Sequence, residues 1–355
     1  MSNIVKGCLV PRGGLLNCFL TGKPYIIIFY AIRGGAKGLQ SKATYLTGKL
    51  IELLLTLFVV SLLVFAAFSI IPGDAARVML GPNASQAQVD LLRTQLGLDQ
   101  PLIVRYTTWM LGVITFNPGV SYAYHVNVSD LIAQRLPVTL GMSVIAMIMV
   151  IVISYPLAVL SSRKPGRLGD QICSVIGHIL FAIPPYVASL LLILLASSVF
   201  SILTVGNYVA PSDDFIGYIG CLLLPSFAIA LPKIAMSFKF LRSSIIEQKS
   251  ADYVRTSKSH GLSDLKILTR HVLPNSNVSS ITIISIILSD ILGGSLIVEQ
   301  VFNLPGLGRL LLSAISRRDF PLLSGIVFYL AFVTVILYFI SDIAASLADP
   351  RIRLK

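Results

Sequence analysis

The chain has 355 residues, of which 55% are hydrophobic and 12% charged, and its mean hydropathy is +0.83. Soluble domains carry about a quarter charged residues, so an ordinary soluble fold is excluded and a bilayer protein is indicated. A formal net charge of +12 fits either a nucleic-acid surface or the basic inner loops of a membrane protein, and the placement of the charges decides between them.

Taken in chain order, residues 1–47 form a basic N-terminal extension. Its apolar run "PYIIIFYAI" is too short to span, and no clear cleavage site follows it. Two readings stand for it: an interfacial anchor, or a start codon assigned upstream of the true one. Six longer apolar runs follow, at 50–71, 137–160, 181–205, 216–241, 277–299 and 323–345. As helices each reaches about 30 Å or more, the hydrocarbon thickness. Helices are expected because they satisfy their own backbone groups in lipid.

The connections alternate in charge. The stretch up to Lys49 carries Lys6, Arg12, Lys23, Arg33, Lys37, Lys42 and Lys49 and no acid. Arg163, Lys164 and Arg167 follow the second span. Lys239, Arg242, Lys249, Arg255, Lys258, Lys266 and Arg270 surround the fourth-to-fifth connection, and Arg351, Arg353 and Lys355 end the chain. This is the bias of cytoplasmic loops, so both termini are expected inside and nucleic acid is set aside as a partner. Arg309, Arg317 and Arg318 on the last outer loop are the main exception. They lie in an amphipathic stretch expected on the membrane surface.

In the first outer loop, Ser85 with Gln88 three residues on forms a capping-box pattern, and Gly97 suits the helix end. Val89, Leu92 and Leu96 share one face; Leu102, Tyr106, Trp109 and Val113 make a second stripe. A small cap packed on the bundle is expected, with a docking surface as the alternative.

Chain-borne catalysis finds little support. Cys8, Cys18, Cys173 and Cys221 are scattered, as are His125, His178, His260 and His271, so neither disulfides nor a metal site are indicated. No GxxxxGK[ST], HExxH or GxSxG motif occurs.

The stretch 250–274, "SADYVRTSKSHGLSDLKILTRHVLP", interrupts the apolar runs. Ser250 is expected to cap a helix with Asp252 in its first turn, and Gly261 to end it in the left-handed conformation. Ser263 is expected to cap a second helix with Leu265, Leu268 and Val272 on one face, broken by Pro274 before the fifth span. On periodicity alone, a solvated loop with helical character explains it as well.

The spacing from Gly261 to Leu273 and Pro274, with nine residues before His271, resembles the EAA loop of binding-protein-dependent ABC importer permeases. Arg255, Thr256 and Ser257 occupy the Glu-Ala-Ala positions and His271 replaces an isoleucine. "DYVRTSKSHGLS" is similar to the "DYVRTARAKGLS" of the peptide/nickel subfamily. "IPGDAARVMLGPNASQAQVDLLRTQLGLDQPLIVRY", "QRLPVTL", "LGGSLIVEQVFNLPGLGRLLLSAISRRDF" and "DPRIR" also resemble that subfamily's signatures, in the same order. The resemblance runs from about residue 48 to 353.

The resemblance implies an all-α membrane fold of six transmembrane helices with both ends inside. Residues 48–136 hold the first span and an outer subdomain. Residues 137–346 form the permease core with its cytoplasmic loop at 242–276, and 347–355 form a cytoplasmic tail. It implies that Asp252, Tyr253, Arg255, Thr256, Ser257, Gly261 and Pro274 form an ATPase-coupling element. The implied partners are a second homologous permease, two cytoplasmic ATPase subunits, an external solute-binding protein and membrane lipid, in a bacterial inner membrane. ATP would be bound by the partners, and this chain would need no cofactor or metal. Peptides are the expected cargo, with nickel, metallophores or glutathione as alternatives. An ion-coupled carrier and a membrane-embedded enzyme are the remaining rivals.

Ionisable residues inside the spans mark function or a partner. Asp290 in the fifth span and Lys233 in the fourth are expected either to line the substrate pathway or to pair with each other. Pro184 and Pro185 are expected to kink or break the third span, and Gly293 and Gly294 to permit close helix approach. Asp342 is expected near inner interfacial water, and Glu299 at the outer end of the fifth helix.

Overall fold

A computed structural model describes residues 42–70, 75–81, 83–199 and 208–348. "PYIIIFYAI", the end of the expected third span and the basic tail lie outside the described residues. The elements are α1 (Lys42–Ile70), α2 (Ala75–Leu80), α3 (Gln86–Gln95), α4 (Leu102–Ile114) and α5 (Val128–Arg163). Next come α6 (Leu168–Ala182), α7 (Pro185–Val199), α8 (Phe215–Lys249), α9 (Asp252–Ser259) and α10 (Asp264–Ile267). A π-turn (Leu268–Val272) leads into α11 (Leu273–Val301), α12 (Leu307–Ser316) and α13 (Phe320–Ala348). Among the described residues, extended pairing is limited to an isolated bridge between Val120 and Asn127. Among the described residues, five helices are long and apolar enough to cross a bilayer, and up to six if the bent pair α6–α7 counts as one span.

The spans exceed their apolar runs. α5 starts near Val128 rather than Pro137, and α8 continues to Lys249. Prolines inside them (Pro137, Pro156, Pro225 and Pro232) leave backbone acceptors that neighbours can take up. Tyr218 of α8 donates its hydroxyl to the Pro137 carbonyl at 2.8 Å. The third span departs from expectation most. Helix begins at Leu168 within the expected connection, then breaks at Pro184, and α7 leaves at 104° from α6. Proline's missing donor and fixed φ account for the break at the expected place.

Three apolar clusters stack along the bundle. The central one joins Val138, Met142, Ala146 and Val150 of α5 to Leu222, Ile229 and Ile234 of α8 and Ile287, Ile291 and Val298 of α11. The outer one packs Leu307, Leu310 and Ala314 of α12 between the start of α5 and Leu322, Leu323 and Ile326 of α13. The third, at the end the charge bias places inside, roots α9 and α10. Leu50, Ile51, Leu54 and Leu63 of α1 stay exposed, as lipid-facing side chains should.

The outer segments follow their caps. Ser85 and Gln88 make the reciprocal capping box, Val89 is buried, and Gly97 takes φ +65°. α4 lays Tyr106 and Trp109 against Phe65 of α1, and Trp109 also meets Phe328 of α13 edge-on. Val113 is buried, whereas Leu102 is exposed. The loop thus packs as a cap on the bundle.

Glycine marks one close approach. A methyl at Gly308 would overlap the Leu296 backbone, so α12 rests directly on α11 there. Gly293 and Gly294 behave otherwise: among the described residues nothing lies within 4 Å of where their side chains would be, so no described helix uses them for close approach. Gly308→Ala should therefore cost about 1–3 kcal/mol by overpacking, lowering the Tm of the detergent-purified protein. Gly293→Ala, with open space at its side chain and alanine the better helix former, should leave the Tm unchanged or raise it.

Candidate functional site

The polar insertion between α8 and α11 is a helical hairpin. α8 ends at Lys249, and Ser250 stands at its C-terminus, donating its hydroxyl to the Glu247 carbonyl at 2.6 Å. Ala251 holds the N-terminal position of α9 without a side-chain cap, so Ser250 is not the cap its type suggested. The preceding helix claims the serine because its last carbonyls need donors. Asp252 opens α9 at the end where the helix dipole favours an acid. Gly261 then turns the chain at φ +76°, donating its backbone N–H to the Lys258 carbonyl at 2.9 Å. Ser263 precedes α10 without a side-chain bond.

Pro274 does not interrupt the chain. The π-turn pairs the Leu273 N–H with the Leu268 carbonyl, and α11 proceeds through the proline in its first turn. The shifted register brings the chain to a position where proline's missing donor costs little. The hairpin's second arm is therefore continuous with a span.

Burial sorts the residues of α9. Val254 is 5% exposed and packs with Ile267, Leu268 and Val272 against Leu241 and Ile245 of α8 and Ala158 of α5. Asp252, Arg255 and Thr256 face outward, while Tyr253 and Ser257 are half-buried. Tyr253 donates its hydroxyl to Gln248 at 3.0 Å, and Lys258 pairs with Asp264 across the turn at 3.0 Å. Arg255 has no acidic partner among the described residues. One face is anchored, the other free.

The base of this hairpin is clamped by a pair the sequence reading overlooked. Asp170, 4% exposed at the start of α6, accepts from Nε and Nη2 of Arg242 on α8, both at 2.6 Å. It also accepts from Ser161 and from the Gly166 N–H. A bidentate arginine plus two further donors fully satisfies a buried carboxylate. Lys249 adds a bond to the Ser162 carbonyl at 2.9 Å. The available signal was an acid beside the apolar run "QICSVIGHILFA".

Lys233 and Asp290 meet at 2.8 Å between α8 and α11, with Asp290 46% and Lys233 17% exposed. Asp342 pairs with Lys49 of α1. At the outer end, Glu299 is fully buried: Thr139 donates to Oε1 and the Gly308 N–H to Oε2, both at 2.6 Å. Thr139 in turn accepts from the Leu307 N–H at 3.0 Å, so α5, α11 and α12 share one network. Asp319 accepts from Ser121 and from the Ala123 and Leu322 N–H groups. Burial, then the Asp319 charge, push the nearby Tyr122 phenol up. Cys173 and Cys221 are free, and no group of three metal-ligating side chains occurs among the described residues.

The pattern for the binding-protein-dependent transport system inner membrane component matches residues 154–354, and its N-terminal counterpart matches 43–143. The chain belongs to this family. It is therefore a multi-pass protein of a bacterial inner membrane, the membrane component of a transport system rather than its catalytic subunit. The family implies ATPase and solute-binding partners. This inner membrane component is 33% identical over 297 residues to a putative peptide transport system permease protein of Brucella abortus, covering 84% of this chain and 95% of that one. A probable peptide ABC transporter permease protein of Sinorhizobium fredii is 31% identical, covering 87% and 99%. The glutathione transport system permease protein GsiC of Escherichia coli is 31% identical, covering 88% and 99%. A chain of the MetNI methionine ABC transporter matches at TM-score 0.48 and 16% identity, covering 62% of this chain and 96% of that one.

Gly261 has open space around it, so only its backbone conformation restricts substitution. Gly261→Val should cost more than the roughly 1 kcal/mol by which glycine and alanine differ in a helix, because a β-branched residue resists positive φ. Uptake should fall while expression stays near normal. Uptake equal to wild type would show that the turn plays no part in transport.

Proposed function

We propose that this chain is one of two permease subunits of an ATP-driven ABC importer that carries di- and oligopeptides into the cytoplasm. The observation that carries this reading is α9, a short helix anchored by Val254 on one side and free on the other, at the end of a 35-residue helix. In this reading α9 is a coupling helix seated in a groove of a cytoplasmic ATPase subunit. Asp252, Arg255 and Thr256 offer the free docking face, and Tyr253 and Ser257 flank it. Gly261 fixes the turn, and Pro274 lies where the hairpin joins α11. Arg255 replaces the acidic residue of the EAA pattern, so its partner on the ATPase is expected to be acidic.

In this reading ATP is bound and hydrolysed by two partner ATPase subunits, and the chain itself is expected to need no cofactor. A distinct, homologous permease completes the pore as a heterodimer, and an external solute-binding protein delivers the cargo. Six spans with both termini inside fit this assembly. ATP-driven closure of the ATPase dimer would draw the two coupling helices together. The bond from Arg242 to Asp170 would pass that motion from α8 to the broken pair α6–α7.

The names of the Brucella and Sinorhizobium relatives support a peptide cargo. A second reading, glutathione, is favoured by the GsiC relatives. Lys233 and Asp290 pair with each other, which meets a carboxylate's need for a partner inside a span; the half-exposure of Asp290 supports a further role for the pair in the substrate pathway.

Pull-down of the tagged chain in mild detergent should recover the ATPase, the second permease and the binding protein, whose bound ligand mass spectrometry then identifies. Recovery without any ATPase would overturn the assignment, and a ligand other than a peptide would replace the cargo. Asp290→Asn should change uptake or substrate preference in a transport assay; unchanged values for both would remove the pair from the path.

A further inference from the structure

α4 carries two apolar faces, and the described chain covers one of them. At about 100° per residue, Tyr106, Trp109 and Val113 share the face that meets the bundle. Ile103, Leu111 and Ile114 share another, and they are 77%, 64% and 61% exposed. A narrow polar strip with Arg105 and Thr108 separates the two, and Arg105 is the only charged residue of the helix. A loop bathed in water has no use for a second apolar face of this kind.

The contacts on the covered face fix how deep the helix sits. The hydroxyls of Tyr106 and Ser61 of α1 are hydrogen-bonded at 2.8 Å, and the Trp109 ring lies 5.9 Å from that of Phe65. Ser61 is eight residues inside the outer end of its span at Ser69, about 12 Å along the helix. On α13, Trp109 meets Phe328 edge-on at 5.8 Å, and Tyr329 donates its hydroxyl to the Val113 carbonyl at 3.1 Å. Phe328 is eight residues inside the outer end of its own span at Phe320, again about 12 Å. Two spans thus place α4 at the same level, well within their apolar lengths. Just past its end, Phe116 takes φ +56°, a left-handed conformation that bulky side chains avoid, and stacks its ring on Tyr329 at 6.0 Å. That strain is spent on holding the end of α4 against a span.

We propose that α4 is embedded in the outer leaflet, where Ile103, Leu111 and Ile114 contact phospholipid acyl chains and Arg105 and Thr108 turn to the aqueous side. The face continues a surface already exposed to lipid: Leu62 and Leu63 of α1, in the turn that carries Ser61, point outward as well. Helices lying in a leaflet combine a broad apolar arc with a polar strip in this way. Tyrosine and tryptophan are the side chains favoured near the membrane–water boundary, and Trp109 is the chain's only tryptophan. A protein partner is the weaker fit, because the face is aliphatic and lacks the aromatic and arginine anchors of protein interfaces. The level set by Ser61 and Phe328 also keeps a water-borne partner away from it. The inference needs only the bilayer location of the chain, not its cargo or its energy source.

The test places p-benzoylphenylalanine at Leu111 or Ile114 of the full-length chain, purified with its partners into nanodiscs of phosphatidylethanolamine and phosphatidylglycerol. A monodisperse gel-filtration profile shows that each labelled chain is folded. On illumination, mass spectrometry should find phospholipid attached at both positions, in a yield within about twofold of that from the same label at Leu63, and several-fold less at Thr108. Attachment of another protein at Leu111 and Ile114 overturns the proposal and makes the face a subunit contact. No lipid at either position while Leu63 reacts places the face in water and overturns it too, as does an equal lipid yield at Thr108. The importer reading stands whichever result is found.

Discussion

A polar group carried into a bilayer has no water to turn to, so it must find its partner inside the protein. The helices of this chain are held in register by that requirement. Asp170 and Arg242 join α6 to α8, Lys233 and Asp290 join α8 to α11, and Lys49 and Asp342 join α1 to α13. Glu299, Thr139 and the backbone of Leu307 and Gly308 join α5, α11 and α12. Leucine side chains pack equally well against lipid and against one another, so apolar area alone would not single out one arrangement. The polar ties do, because each has one geometry in which both partners are satisfied.

The two ends of the bundle use this constraint differently. At the inner end the ties leave a helix projecting. α9 is rooted by Val254 in a cluster that includes α5 and α8, and its second arm passes into α11 without a break. α9 is thus packed on α5 and α8 and joined to α11. At the outer end the ties hold two buried acids. Glu299 and Asp319 are both spent on backbone N–H groups and hydroxyls.

Much of the local structure was legible because it obeys local rules. The capping box at Ser85, the left-handed turn at Gly261 and the break at Pro184 all depend on residues within one turn of each other. The misreadings share a cause as well. Ser250 was assigned to the helix that follows it, whereas the helix before it took its hydroxyl. Pro274 was expected to stop a helix, and a π-turn carried the helix through it. Gly293 and Gly294 were expected at a close contact that no helix among the described residues makes. At Ser250 and Pro274 a neighbouring helix or turn decided the outcome.

Composition, charge placement and motif order were enough to indicate a bacterial inner membrane transport component. Those properties depend on residue type and spacing along the chain, and both are visible in one dimension. Which acid pairs with which base was not visible. Asp170 and Arg242 are 72 residues apart, Thr139 and Glu299 160 apart. Charge pairing is decided by distance through space, and the folded bundle alone sets that distance.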